Sequence, residues 1–141
     1  MFRKNKLAML VSEFLGTAVL ALAVLALSHS QLSYPYFIAS AAGLTLVLLV
    51  VALAGISGAV FNPALTIGLW TVRKLRTLQA LSYIIAQFAG AAAAWYLFVY
   101  FTKLDNAKNN GTYDARLLVA EAAGTFVFSF AVASAIYQRL S

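Results

Sequence analysis

Four stretches of this chain are long enough and apolar enough to cross a lipid bilayer as helices: residues 7–27, 37–56, 78–101 and 117–137. A crossing takes about 20 apolar residues. A fifth apolar stretch, residues 58–72, is too short to cross and contains Pro63. Of the 141 residues 63% are hydrophobic and only 10% charged, far too little polar sequence to cover a water-facing surface. The fold class this predicts is an all-α membrane protein, four transmembrane helices plus one re-entrant half-helix, in a single membrane domain over residues 1–141. The first stretch has the basic start of a signal peptide, but such an apolar region is only about 7–15 residues long. Glu13 inside it and three further spans behind it mark it as a retained helix.

The charges fix an orientation. With the N-terminus in the cytoplasm, Arg3, Lys4, Lys6, Arg73, Lys74, Arg76 and Arg139 lie inside, and Lys103, Lys108 and Arg116 lie outside. Seven against three obeys the positive-inside rule. The count holds only if residues 57–72 enter from the cytoplasm and return to it, which predicts a re-entrant loop and half-helix. Basic clusters at span ends also account for the net charge of +6 without nucleic acid as a partner. The absence of Cys, a single His and four acids leave no thiolate, metal cluster or acid/base pair. No enzyme, metal or cofactor is expected, and His29, just past the first span, reads as a solvated loop residue.

Residues 11–25 and 119–133 superimpose with an offset of 108, sharing V-x-E-x-x-G-T from Val11 and from Val119. An odd number of spans separates them, so the two copies run in opposite directions, as in the inverted repeats of transport proteins. The polar loop before the second copy carries Asn110-Gly111-Thr112, which reads as a turn and not as a glycosylated sequon.

The chemistry is concentrated in residues 57–66. Asn62 is a favoured helix cap, and Pro63 is favoured at the first helical position, where a missing N–H costs nothing. A helix of two to three turns is therefore expected from Asn62-Pro63 to Trp70 or Val72, starting near mid-membrane. Backbone at that depth must pack in protein or line a water-filled cavity. The half-helix turns a positive end, about half a charge, toward that cavity and opposes cations. The Asn62 amide offers donors to an uncharged ligand such as water.

Gly58-Ala59-x-x-Asn62-Pro63-Ala64-x-Thr66 resembles the first Asn-Pro-Ala (NPA) motif of the aquaporin and aquaglyceroporin, or major intrinsic protein, family. The resemblance spans essentially the whole chain: Glu13-x-x-Gly16-Thr17 is similar to the family's opening helix, Gln87-x-x-Gly90-Ala91 to its third, and Glu121-x-x-Gly124-Thr125 to the helix opening its second half. It implies a passive channel for water and small uncharged solutes such as glycerol, in the plasma (inner) membrane, with a homo-oligomer, the family's tetramer, once the full pore forms. Asn62, Pro63, Ala64, Val60 and Ala42 would set pore and selectivity, while Glu13, Glu121, Gln87, Thr66 and Ser57 would brace loop backbone. Gly16, Gly43, Gly90 and Gly124 would be helix-packing points.

The chain departs from the family pattern in three places. Val60 replaces a pore-lining His, Ala42 replaces an aromatic constriction residue and suggests a wider opening, and no second Asn-Pro-Ala loop or constriction Arg is present. The expectation is a fragment: the first half of the fold plus the opening helix of the second, complete only with the missing half or a partner. Two other readings stand beside the channel. One is a small proton-coupled multidrug-type exporter using Glu13, which the charge bias and the short Asn-Pro segment disfavour; the other is a non-conducting fragment.

Overall fold

The computed structural model describes residues 5–103 and 115–138, and among them it is all helix and loop. The helices are α1 (Lys6–Ser28), α2 (Pro35–Leu53), α3 (Pro63–Thr71), α4 (Thr77–Thr102) and α5 (Ala115–Gln138). The chain divides into two units, Met1–Asp105 and Asn106–Ser141, each taken by itself below. Arg3, Lys4, Lys108, Arg139 and the Asn110 sequon lie outside the described residues, so part of the charge count does too.

At about 1.5 Å per residue, α1 (23 residues), α2 (19) and α4 (26) are roughly 35, 28 and 39 Å long. All three are long and apolar enough to cross a bilayer core of about 30 Å. The short apolar helix α3, with 9 residues, covers only about 13 Å. In the second unit α5 has 24 residues and includes the apolar stretch Glu121–Val132. The expected start of the second span at residue 37 moves back to Pro35, whose fixed φ suits the first helical turn.

In the first unit α1 packs against both α2 and α4, and α3 packs against α4. Lys6 at the start of α1 and Arg76 and Gln79 at the start of α4 border one cavity, while Gly90, further along α4, abuts Phe14 and Ala18, further along α1. The two long helices therefore advance in the same direction. None of the 19 residues of α2 is buried, and the helix is apolar all round. Such a surface requires lipid or other apolar protein against it.

Depth along α4 shows what residues 57–72 do. Ser57 lies beside Tyr83, whose hydroxyl donates to its carbonyl at 2.7 Å. Thr66 hydrogen-bonds Gln87, one turn deeper. Near the end of α3, the Trp70 indole N–H donates to Thr77 Oγ1 at 3.1 Å, back at the first residue of α4. The segment thus goes in and comes back to the end at which it entered, and α3 is a re-entrant half-helix.

Candidate functional site

The loop that joins α2 to α3 is a chain of unusual backbone conformations. Gly58, Ala59 and Phe61 have φ of 97°, 53° and 49°. Only Gly takes such values without steric cost. At Ala59 and Phe61 the surroundings must impose them. The imposing groups come from α1 and α4. Glu13 Oε1 accepts the Val60 N–H at 3.1 Å, and its Oε2 accepts the Phe61 N–H at 2.7 Å. Thr17 Oγ1 donates to the Phe61 carbonyl at 3.2 Å, and Ser57 Oγ accepts the Ala59 N–H at 3.1 Å. Ser12 and Ser57 share a hydroxyl–hydroxyl bond of 3.2 Å. Glu13 is fully buried, which an acidic group tolerates only when its oxygens are bonded.

A second set of bonds ties this carboxylate to the half-helix. Gln87 Nε2 donates to Glu13 Oε2 at 2.8 Å and to Thr66 Oγ1 at 3.0 Å. Thr66 in turn donates to the Asn62 carbonyl at 2.9 Å. Among the described residues no buried side-chain N or O lacks a partner. Two close approaches hold the frame shut. A Cβ on Gly16 would run into the Phe61 ring, and one on Gly90 into the backbone carbonyl of Phe14.

Asn62 caps α3. Its Oδ1 accepts the N–H groups of Ala64 at 2.8 Å and Leu65 at 3.4 Å, and its carbonyl accepts that of Thr66 at 2.9 Å. Pro63 has no N–H, so every amide of the first turn is accounted for. That commits the Asn62 oxygen inward, while the Nδ2 donors make no bond among the described residues. Asn62 is half-buried and Ala64 exposed, so a small polar molecule has access to these donors.

Of the residues singled out from sequence, Glu13, Ser57, Val60, Asn62, Thr66 and Gln87 come together in this one network. Ala42 is half-buried on α2 and belongs to no hydrogen bond of the site. Glu121 is exposed on α5, in the second unit, with the exposed Gly124 one turn on. Gly43 corrects an expectation: it is exposed, with nothing within 4 Å of its Cβ position, so it is no packing point within this unit. Gly124 likewise meets nothing within 4 Å. His29 caps α1 and sets its ring edge-on to Phe98 at 5.6 Å. Sequence reasoning missed Ser12, Thr17, Phe61 and Tyr83. The signal for the first two was available, since Ser12, Glu13, Gly16 and Thr17 form one small and polar stripe at helical spacing on an otherwise apolar helix.

A family model described as Major intrinsic protein matches residues 2–140. Aquaporin Z of Photorhabdus laumondii is 38% identical over 62% of this chain and 42% of its own length. Aquaporin PIP2-7 of Arabidopsis thaliana is 34% identical over 94% of this chain and 53% of its own. Aquaporin AqpM of Methanothermobacter thermautotrophicus is 36% identical over 57% and 37% respectively. The chain spans about half the length of these relatives, or less.

Proposed function

The chain belongs to the major intrinsic protein family, and from that premise we propose that it supplies one half of a channel passing water and small uncharged solutes. The observation that carries the reading is the division of labour within Asn62. Its oxygen is used up in capping α3, and its amide nitrogen is left to donate at the deep end of a half-helix. A water passing that point can accept from Nδ2 while the positive helix end, about half a charge, opposes a cation.

The remaining roles follow. Glu13, Gln87, Thr66 and Ser57 hold the strained loop so that Asn62 stays in place, and Glu121 does the same for a loop of the other half. Val60 and Ala42 make the passage wider and more apolar, which favours glycerol-like solutes beside water. The pore is complete only with a second half, in a homo-oligomer of the plasma membrane with the N-terminus in the cytoplasm. A carrier using Glu13 for proton exchange is disfavoured by the three bonds its carboxylate already accepts.

Stopped-flow shrinkage of proteoliposomes carrying the chain in its pore-forming assembly tests the proposal. Water permeability above that of protein-free vesicles, without proton conductance, is expected. Permeability equal to bare lipid, or organic-cation uptake driven by a proton gradient and lost in Glu13→Gln, would overturn it.

A further inference from the structure

A cavity of about 380 Å³ opens between the N-terminal ends of α1 and α4, away from Asn62. Lys6 and Arg76 stand on its rim, Gln79 adds an amide, and Met9, Leu10 and Leu78 supply an apolar wall. Its size is within the roughly 300–1,000 Å³ of small-molecule sites. Neither cation is matched by an acid. The described carboxylates are Glu13, whose oxygens hold the loop and Gln87, and Glu121, which belongs to the other unit. Lys6 and Arg76 make no side-chain hydrogen bond or ion pair among the described residues.

Both residues sit where two membrane-crossing helices begin, Lys6 as the first residue of α1 and Arg76 as the cap of α4. That is the depth of lipid headgroups. We propose that this cavity binds one anionic phospholipid, its phosphate between Lys6 and Arg76 and the upper part of an acyl chain along Met9, Leu10 and Leu78. Two cations on a concave rim fit a phosphate that accepts from both, Arg through a fork and Lys as a point charge. The apolar wall selects an amphiphile over a free anion. The inference rests on α1 and α4 crossing a membrane and is independent of what the channel passes.

Native mass spectrometry of the full chain in a neutral detergent, titrated with phosphatidylglycerol or phosphatidylcholine, tests it. One phosphatidylglycerol is expected to be retained in preference to phosphatidylcholine. Lys6→Gln with Arg76→Gln should weaken that binding about 30-fold, since each cation near a charged lipid is worth about fivefold. Lys74→Gln, an equal charge loss in the same basic cluster but off the cavity rim, should leave it nearly unchanged. The wild-type lipid preference is read without any variant, so a misfolded double variant does not block the test. Equal retention of the two lipids, or equal loss with Lys74→Gln, would overturn the site in favour of diffuse surface charge. Displacement of the lipid by millimolar inorganic phosphate would reduce it to an anion site and overturn the lipid assignment.

Discussion

Gln87, on α4, donates its amide nitrogen to Glu13, on α1, across 2.8 Å, and the same carboxylate oxygen accepts the Phe61 N–H at 2.7 Å. One buried oxygen thus joins two long helices to the tip of a loop that neither belongs to. Removing its acceptor capacity should loosen all three. In Glu13→Gln one oxygen becomes an NH₂, which then faces an N–H that has no other partner. A buried donor left unsatisfied costs about 1–3 kcal/mol, more when a charged partner is lost, so a destabilisation of about 3 kcal/mol is expected. Denaturant unfolding of the full chain in micelles measures it. A variant as stable as the parent would mean that Glu13 does not hold the loop.

The glycines separate by what surrounds them. Gly90→Ala puts a methyl group against the Phe14 backbone carbonyl, which cannot swing aside as a side-chain tip does. Either α1 and α4 part or the helix shifts, at a cost of about 1–3 kcal/mol, typical of overpacking. Gly16→Ala presses on the Phe61 ring, which is 2% exposed and has little room to turn. It should disturb the loop as well as the helix contact. Gly43→Ala meets nothing within 4 Å, and gains helix propensity of up to about 1 kcal/mol. Unfolding measurements on the three should rank Gly90 and Gly16 well below Gly43. Equal losses at Gly43 and Gly90 would place a partner helix on the outer face of α2.

The contrast between Gly43 and Gly90 also marks how far a single sequence can be read. Hydropathy is a property of the segment, so the long helices and the short α3 are visible in the order of residues. The cap of α3 is visible too, because Asn62-Pro63 carries its own local chemistry. Contact is different. Gly43 and Gly90 sit in similarly apolar surroundings, and only the packing distinguishes them. The same holds for Tyr83, whose partner Ser57 lies 26 residues away, and for Phe61, whose fit against Gly16 depends on a left-handed backbone at a non-glycine residue. No local signal announces a positive φ at Ala59 or Phe61. Those conformations are imposed by Glu13, more than 40 residues earlier.

The imposed conformation is itself measurable. Ala59 holds φ at 53°, where a Cβ crowds the following carbonyl and costs about 1–2 kcal/mol. Ala59→Gly should therefore stabilise the loop by up to about 1 kcal/mol, less whatever freedom glycine adds to the unfolded chain. Ala59→Val, β-branched in the same region, should lose about 2 kcal/mol. Hydrogen exchange of the Val60 and Phe61 amides reports the effect locally. Protection that falls in Ala59→Val and holds in Ala59→Gly is expected. Protection falling equally in both would place the need at the methyl group and not at the backbone angle.

Asn62 combines two roles that substitution can take apart. Asp keeps an oxygen for the Ala64 and Leu65 N–H groups and sets a negative charge against the positive end of α3, so the cap survives. The stability of Asn62→Asp should stay within about 0.5 kcal/mol of the parent, whereas Asn62→Ala should lose about 1 kcal/mol. The donor role responds the other way. Asp has no Nδ2 hydrogens to offer a passing water, and its charge reverses the field that opposes cations. Water permeability of the pore-forming assembly should fall by about tenfold, the equivalent of one ordinary hydrogen bond, and sodium should begin to leak. Stability retained with permeability lost separates the donor from the cap, because a residue needed only as a cap would conduct normally with Asp in its place.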